Sequence, residues 1–241
     1  MRIEHICKQC LDNQEVQLVR FLIRDDGVHE VLCANNHKTK IFLSNPLYEI
    51  LFDYGLHAFL DGYTREAVAS MAASIERFYE LYIRIIQTKH GVGDEEFTNS
   101  WRLLSLSERQ LGAFVGLYLL ENKSTVELLS QSAVEFRNGV IHKGKFPEPE
   151  EVLKKYAKPA FAFLLKHTND LKKNDHELVK EILNQELSLK QSVDSNVRSE
   201  GMQITTTFLL GAPLESSLAP TTLENALKLA ATFHEFRSPA K

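Results

Sequence analysis

The sequence predicts a mainly α-helical protein: a helical bundle with a zinc-binding β-hairpin at its N-terminus and a small strand and helix at its C-terminus. Three observations lead to this fold class. Cysteine and histidine occur in two closely spaced pairs near the N-terminus, apolar residues recur at steps of three and four over much of the middle of the chain, and a β-branched stretch followed by a helical pattern comes last. We therefore divide the chain into a zinc ribbon over 1–45, a helical bundle over 46–191 and an accessory strand and helix over 192–241.

The composition is that of an ordinary globular protein. Of the 241 residues, 44% are hydrophobic and 25% are charged, which is enough for one sizeable core and a small additional unit. The formal net charge of -4 argues against the strongly basic surface of a protein that coats nucleic acid. No apolar run approaches the ~18 residues of a membrane span, and the first residues lack the pattern of a secretory signal. We expect a cytoplasmic protein without a membrane partner.

The N-terminal cysteines and one histidine have the spacing of a zinc site. They form the pattern Cys-x2-Cys, then 22 residues, then Cys-x3-His, which uses every cysteine of the chain. The four residues are Cys7, Cys10, Cys33 and His37. Zn²⁺ favours a tetrahedron of nitrogen and sulfur ligands, and two short-spaced pairs supply that geometry. Because three thiolates and one imidazole close the shell, we predict a structural Zn²⁺ and no catalytic metal.

The chain between the two ligand pairs is predicted to be a β-hairpin. Residues 16–24 and 28–32 are rich in β-forming side chains, and Asp25-Asp26-Gly27 between them is a turn signal. A unit of about 40 residues buries little apolar surface, so the metal would supply much of its folding free energy. The alternatives are three free buried thiols beside an unrelated surface histidine, or a disulfide. His5 and His29 are interpreted as non-ligands.

The remainder of the chain has the patterns of helices. The most regular apolar stripe runs from Tyr63 to about Gln87, and the glycines that follow end it. The other predicted helices cover Leu47–Leu60, 106–121, 125–143, 149–172 and 175–191. After residue 192 we predict a strand over 203–210 and a helix over 222–236. Several helices joined by short loops favour a bundle.

The helix predicted over 125–143 ends in a cluster of polar side chains. Its buried stripe consists of apolar residues at helical spacing, namely Ala133, Phe136 and Val140. Arg137, Asn138 and His142 lie on its flank or its opposite side, and therefore face either water or a second subunit. Histidine can transfer a proton at neutral pH, arginine can bind the charge that develops on phosphate oxygens, and asparagine can orient either group. The alternative is an ordinary solvated helix face.

Two glycines mark the same segment. Gly139 costs the helix about 1 kcal/mol relative to alanine, which predicts the close approach of another backbone at this point. Gly144 is predicted to end the helix.

Residues 137–142 resemble the signature of the HEPN family, which is Arg, four to six residues, then His, very often with a polar residue directly after the Arg. Arg137 and His142 fit this spacing, and Asn138 is the polar residue. The resemblance covers about residues 60–172 and is specific at the motif. It implies an all-helical domain, two protomers whose motifs meet at a dimer interface, and metal-independent endoribonuclease activity.

The resemblance also implies a role for each residue. His142 would assist attack by the ribose 2′-hydroxyl or protonate the leaving oxygen, Arg137 would stabilise the pentacoordinate phosphate, and Asn138 would position the other two. Many family members hold the motif arginine with an acidic residue from an earlier helix; Glu76 is the candidate here, and Glu80 is the competing choice. RNA would be cut, and DNA, which lacks the 2′-hydroxyl, would be spared.

The segment after the motif is basic and departs from one branch of the family. Six Lys or Arg and three Glu lie between 137 and 158, an excess that could attract a phosphate backbone or belong to a solvated helix face. Lys143 and Lys145 are the candidate RNA-binding residues. The branch that pairs with a nucleotidyltransferase antitoxin usually has a tyrosine two residues after the histidine, where this chain has Gly144.

Three functions fit these observations. In the favoured one, the protein is a homodimeric HEPN-type endoribonuclease that acts on RNA, with tRNA as one candidate substrate. It would serve as a toxin or an antiviral defence effector, with an antitoxin or regulatory protein as partner. In the second, the same fold is a non-catalytic dimerisation or adaptor protein. In the third, the zinc ribbon makes the protein a nucleic-acid-binding regulator, which the acidic net charge disfavours.

Overall fold

The computed structural model describes residues 2–190, 197–214, 216 and 218–237, and it shows a mainly helical protein, as predicted. The strands are β1 (Arg2–Ile6), β2 (Leu18–Leu22), β3 (Val28–Leu32), β4 (Lys38–Leu43) and β5 (Arg198–Met202). The helices are α1 (Lys8–Asp12), α2 (Leu47–Leu60), α3 (Thr64–Lys89), α4 (Asp94–Leu103), α5 (Ser107–Asn122), α6 (Gln131–Ile141), α7 (Pro149–Val152), α8 (Lys158–Asn174), α9 (His176–Lys190) and α10 (Leu223–Arg237). A π-helical turn (Leu153–Ala157) joins α7 directly to α8.

The N-terminal strands form two antiparallel pairs. β1 pairs with β2, and β3 pairs with β4. The prediction of a single hairpin made by 16–24 and 28–32 is therefore wrong. Its turn exists, since Gly27 has a φ of +63° and the Val28 N–H donates to Asp26 Oδ1 at 3.0 Å, but the turn links the two pairs. The reason is that β1 and β4 are strands as well and satisfy the backbone groups of β2 and β3.

β5 extends the second pair into a three-stranded sheet of order β3-β4-β5, and it runs parallel to β4. The predicted strand over 203–210 is wrong, because the strand ends at Met202 and the residues that follow are irregular. Asn45 Oδ1 accepts the backbone N–H groups of Ile204 and Thr205 at 2.7 and 3.3 Å. A side chain thus satisfies backbone groups that a strand would have paired with a neighbouring strand.

The 26-residue helix α3 lies at the centre of the bundle, which confirms the helix predicted from Tyr63 to about Gln87. α2 packs along it, and α5, α6 and α8 cover other sides. Gly55 of α2 marks a close approach, because a Cβ at this position would lie 3.1 Å from the carbonyl oxygen of Ala67 and 2.8 Å from the side chain of Met71. A larger residue at position 55 would therefore push the two helices apart.

Two other helices differ from the prediction. The sequence patterns do not predict α4, a short helix with no buried residue that packs on the core only through the partly buried Phe97 and Trp101. The helix predicted over 125–143 is shorter, because it begins at Gln131. Ser130 is its N-cap, and the Ser130 hydroxyl accepts the Ala133 N–H at 3.3 Å. The predicted helices over 47–60, 106–121, 149–172 and 175–191 are found within a few residues of their expected ends.

The C-terminal helix α10 confirms the helix predicted over 222–236, and it shares the core of the bundle. Leu223, Ala226 and Ala230 are buried in the same hydrophobic cluster as α2, α3 and α8. The boundary at 191/192 stays a prediction, because residues 191–196 lie outside the described residues. None of the described helices is long and apolar enough to span a membrane.

A buried carboxylate ties the C-terminal segment to α2. Glu49 Oε1 accepts the Leu210 N–H at 2.7 Å and the Tyr48 hydroxyl at 3.3 Å, and Glu49 Oε2 accepts Asn45 Nδ2 at 2.8 Å. Burial raises the pKa of Glu49, while these hydrogen bonds and the Lys172 ammonium oppose the rise. Glu49 should therefore stabilise the contact between α2 and the C-terminal segment, and it should make the stability of the protein depend on pH.

Replacing Glu49 with alanine is expected to destabilise the protein by about 2–4 kcal/mol. The Leu210 N–H and one N–H of the Asn45 amide would remain buried without an acceptor, at about 1–3 kcal/mol each, while the amide keeps its bond to the Thr205 carbonyl. Chemical denaturation of the wild type and of Glu49→Ala measures the difference. A loss below about 0.5 kcal/mol would contradict this view of the network.

The pH dependence of the same group has a defined sign. Because the folded-state pKa of Glu49 lies above its ordinary value of 4.5, the stability that protonated Glu49 contributes is fully present below pH 4.5 and is lost as the pH rises through the folded pKa. The free energy of unfolding of the wild type should therefore fall relative to that of Glu49→Gln as the pH rises above the ordinary pKa of 4.5. If the free energy of unfolding of the wild type rose relative to that of Glu49→Gln, Glu49 would not be the group that causes the pH dependence of stability.

Candidate metal centre and candidate active site

The four predicted zinc ligands occupy the connections of the two N-terminal strand pairs. Cys7 is the N-cap of α1 and Cys10 lies within it, between β1 and β2. Cys33 directly follows β3, and His37 directly precedes β4. The Cys33 N–H donates to the His37 carbonyl at 3.2 Å, which closes the second connection. Each ligand pair thus sits on a short, tightly turned segment, and the two segments face each other.

The ligand atoms have the separations of a tetrahedral metal site. All four lie within 4.8 Å of one another. Cys10 Sγ is 3.2 Å from His37 Nδ1 and 3.6 Å from Cys33 Sγ, and Cys7 Sγ is 3.7 Å from His37 Nδ1. A zinc tetrahedron places neighbouring S and N ligand atoms roughly 3.5–3.8 Å apart. The cluster could therefore hold a metal ion, and its donors are those of structural zinc.

The surroundings of the cluster also fit a structural site. The three cysteines are buried and form no disulfide, so the disulfide alternative is excluded for them. They have few apolar neighbours, because only Val19 and Val31 pack with them in this hydrophobic cluster. Asn35 Nδ2 lies 3.4 Å from Cys10 Sγ and can orient a thiolate there. So small an apolar cluster agrees with a unit that needs an ion to fold.

Residues from the far end of the chain support the first ligand pair, and the sequence patterns do not reveal them. Glu200 of β5 is buried; its carboxylate lies 3.1 Å from His5 Nε2, 3.1 Å from Lys8 Nζ and 2.9 Å from Arg198 Nε. Arg198 also pairs with Asp12 at the end of α1, at 3.0 Å. Lys8 lies between Cys7 and Cys10 in the sequence. The contacts of β5 with Lys8 and Asp12 therefore fix the position of the segment that contains these two ligands. No local spacing signals a contact between residues almost two hundred positions apart.

The motif predicted as a candidate active site lies at the end of α6. Arg137 and Asn138 are half-buried, whereas His142 is the C-cap and is exposed. Of the predicted buried stripe, Ala133 and Val140 are buried and Phe136 is half-buried, with the Lys155 ammonium 5.6 Å from its ring centroid. The three motif side chains therefore differ in exposure: those of Arg137 and Asn138 are partly covered by the protein, and the His142 imidazole reaches solvent.

Arg137 lies near two buried tyrosines of its own bundle, so the expectation that it faces water or a second subunit is wrong. Burial raises the pKa of Tyr79 and of Tyr156, and the positive charge of Arg137 opposes the rise at both hydroxyls. The Arg137 guanidinium lies close enough to the Tyr156 hydroxyl to favour its ionised form. Tyr156 stands on the π-helical turn, a feature that often occurs at functional sites. The sequence analysis did not single out Tyr156. The only sequence feature that could have indicated it is a tyrosine on the inward-facing side of a predicted helix.

The structure distinguishes the two candidate glutamates. The negative charge of Glu76 acts on the hydroxyls of Tyr79 and Tyr156, so Glu76 shares the surroundings of Arg137. Glu80, in contrast, pairs with Arg77. Of the two, Glu76 is the one placed to act on the Arg137 environment, although its catalytic role stays a prediction.

The loop after α6 turns as expected at Gly144, which has a φ of +67°. At Gly139, the atoms that an added Cβ would meet first belong to a side chain rather than to another backbone. The Lys145 side chain crosses this glycine, and a Cβ on Gly139 would lie 3.3 Å from Lys145 Cδ. The Lys145 N–H also donates to the Gly139 carbonyl at 3.2 Å. Gly139 therefore leaves room for the loop to fold back onto its own helix.

The basic excess of this segment is concentrated near the motif. Lys154, Lys155 and Lys158 have ion pairs with Glu150, Glu151 and Glu224, so their charges are balanced locally. Lys143 and Lys145 are exposed next to His142, and Phe146 is 81% exposed.

Comparisons of the chain with protein-family models, with curated proteins and with solved structures find no match.

Proposed function

We propose that the protein is a metal-independent, HEPN-type endoribonuclease that cleaves RNA through attack by the ribose 2′-hydroxyl. One observation carries the proposal: a fixed guanidinium and an accessible imidazole stand at one helix end. Arg137 is half-buried against Tyr156, and His142 is exposed about one turn further on. A fixed cation can stabilise phosphate charge without reorganisation, and an exposed imidazole can reach a bound strand.

The proposed reaction needs only proton transfers and one displacement. A neutral His142 imidazole accepts the 2′-hydroxyl proton, the 2′-oxygen attacks the adjacent phosphorus, and the bond to the 5′-oxygen breaks. The leaving 5′-oxygen takes its proton from a second imidazolium, which a homodimer supplies as the second copy of His142. The products are a 2′,3′-cyclic phosphate and a 5′-hydroxyl. Arg137 stabilises the pentacoordinate phosphate, and Asn138 orients the other two groups.

The loop after the motif supports RNA as substrate. Lys143 and Lys145 add positive charge beside His142, where a phosphate backbone would pass. Phe146 projects from the same loop, so an exposed aromatic ring lies close to these two lysines. By resemblance, such an enzyme acts as a toxin or antiviral defence effector, on tRNA or other RNA, under the control of an antitoxin or regulator.

We assign structural Zn²⁺ to the N-terminal cluster in this proposal. Three thiolates and one imidazole would fill a tetrahedral shell and leave no position for a substrate. Zinc would supply folding free energy to the ribbon and would take no part in the cleavage step. Chelator should therefore leave cleavage by the bundle unaffected as long as the ribbon is not required for RNA binding.

The 2′-hydroxyl requirement gives the sharpest test of this function. A single 2′-deoxy substitution at the cleaved position of an RNA oligonucleotide should abolish cleavage there, while the same substitution several nucleotides away should leave it unchanged. Product ends are identified by mass spectrometry. Cleavage of the substituted position at the wild-type rate, or products that carry a 5′-phosphate, would refute the proposed chemistry.

A non-catalytic adaptor or dimerisation protein is the second candidate, and one observation favours it. Arg137 is half-buried and lies close to the Tyr156 hydroxyl, which is also where a structural arginine would lie. In that case the motif would hold α6 against the π-helical turn, and the exposed His142 would have no chemical role.

A further inference from the structure

A polar cavity that belongs to neither site lies between the C-terminal ends of α3, α5 and α8. Its volume is about 150 Å³. The floor is formed by buried ring side chains, namely Tyr82, Tyr118 and His167. Charged and amide side chains form the rim.

His167 is the group at this cavity that most requires a partner. It is 1% exposed and packs against the rings of Phe163 and Tyr118, at centroid distances of 4.4 and 5.4 Å. Neither ring nitrogen has a hydrogen-bond partner among the described residues. The Glu127 carbonyl is close enough to raise its pKa but does not reach hydrogen-bond geometry. Buried polar groups in native proteins are nearly always paired, so a partner for this imidazole is expected from within the cavity.

The imidazole is uncharged at neutral pH. Burial lowers the pKa of His167 to about 4, and the nearby Lys166 ammonium acts in the same direction. A neutral imidazole offers one N–H donor and one nitrogen acceptor. A ligand that faces the unprotonated ring nitrogen must therefore carry a hydrogen-bond donor.

Every charged group of the rim has an ion-pair partner. Lys89 Nζ lies 2.7 Å from Glu121 and 2.8 Å from Asp175. Lys166 Nζ lies 2.9 Å from Asp170. Because three carboxylates face two ammonium groups, the rim disfavours an anionic ligand.

Two phenol groups of the floor add hydrogen-bond donors. The Tyr82 hydroxyl accepts Asn122 Nδ2 at 3.4 Å, and the Tyr118 hydroxyl accepts Lys166 Nζ at 3.4 Å. Each phenol therefore uses its oxygen and keeps its proton for donation. Burial raises the pKa of Tyr82 to about 12, so this hydroxyl stays protonated at neutral pH.

We propose that this cavity binds a small, uncharged, planar molecule in which a carbonyl stands next to an N–H, as in a pyrimidine base or a simple amide. The carbonyl accepts from the tyrosine hydroxyls, and the N–H donates to the His167 ring. The volume is about half of the ~300 Å³ at which drug-sized ligand pockets begin, which admits a single ring but not a whole nucleotide. The site is independent of Arg137 and His142.

Binding can be followed on the full-length protein with ¹⁵N-labelled histidine. Titration with uracil is expected to shift the ring nitrogens of His167 saturably. 1,3-Dimethyluracil, which keeps the ring and both carbonyls but has N-methyl groups in place of both N–H groups, should bind at least about tenfold more weakly. Acetamide distinguishes the source of the shared chemistry: shifts with both probes indicate an amide edge in general, and shifts with uracil alone indicate a pyrimidine base.

Variants test the named contacts. His167→Phe keeps a ring of similar size and should abolish uracil binding. Tyr82→Phe removes one donor and should weaken binding about 5–10-fold, whereas Tyr63→Phe, on a side chain that is 62% exposed, should have no effect. If His167→Phe does not fold, the uracil affinity of Tyr82→Phe and the ¹⁵N-histidine spectrum of the wild type test the proposal. The proposal would be overturned if the His167 nitrogens did not shift at saturating uracil, or if dimethyluracil bound equally well. Unchanged uracil affinity in Tyr82→Phe, or a cavity filled by ordered water only, would also overturn it.

Discussion

Replacing Cys10 with alanine is expected to release the metal and unfold the ribbon formed by β1 to β4. Cys10 is fully buried at the centre of the cluster. Its sulfur lies 3.2 Å from His37 Nδ1 and 3.6 Å from Cys33 Sγ. Structural zinc sites contribute an apparent ~10–16 kcal/mol in zinc-finger peptides, far more than the few apolar contacts around this cluster can supply. Elemental analysis should give about one zinc per chain for the wild type and almost none for Cys10→Ala.

The helical bundle should survive this change. None of the four ligands belongs to the large hydrophobic cluster built on α2, α3, α5 and α8. Hydrogen exchange should therefore show protection lost in the ribbon and retained in α3. His29→Gln is the matched control, because His29 is a buried histidine of the ribbon outside the ligand cluster, and this variant should keep its zinc. Less than about half an equivalent of zinc in unchelated wild type, or stoichiometric zinc in Cys10→Ala, would contradict the assignment.

Arg137→Ala is expected to lower the rate of RNA cleavage by about 10²–10³-fold. Removal of one preorganised group that stabilises transition-state charge costs about 2.7–4 kcal/mol in enzymes. Arg137→Lys keeps the charge but loses the planar fork of donors, so its rate should lie between those of the wild type and the alanine variant. Single-turnover cleavage of a defined RNA measures all three. Circular dichroism and size-exclusion chromatography establish that each variant is folded and of native size.

Tyr156→Phe separates a catalytic Arg137 from a structural one. This variant removes the hydroxyl that Arg137 contacts and leaves the guanidinium in place. We expect it to cost about 1 kcal/mol of stability and less than tenfold in cleavage rate. If Tyr156→Phe and Arg137→Ala lowered the rate equally, Arg137 would act through packing of α6 on the π-helical turn rather than on the phosphate.

The parts of the fold with local signals could be predicted from the sequence. α3 was predictable because its apolar residues recur at helical spacing over many turns. The zinc ligands were predictable because each pair is local and because zinc accepts few donor sets. The start of α6 was not, since the segment before Ser130 is apolar enough to imitate a helix and only the cap fixes the boundary.

Contacts between distant segments could not be predicted. Strand patterns indicate that a segment is extended but do not choose its partner, so β1 and β4 displaced the expected hairpin. Glu49 reaches Leu210, and Glu200 reaches His5, without any spacing that announces them. Glu76 and Glu80 are one helical turn apart and equivalent in a periodic pattern. Only the neighbours of each, Arg77 for Glu80 and the tyrosines for Glu76, distinguish them.

Cleavage of a mixed pool of total RNA and tRNA, with chelator present, tests the proposed function most directly. The wild type is compared with Arg137→Ala and His142→Ala, each shown to be folded and of the same oligomeric state as the wild type. The proposal predicts that only the wild type cuts and that it leaves 2′,3′-cyclic phosphate and 5′-hydroxyl ends. Three equally inert proteins, or three equally active ones, would contradict it and favour the adaptor function.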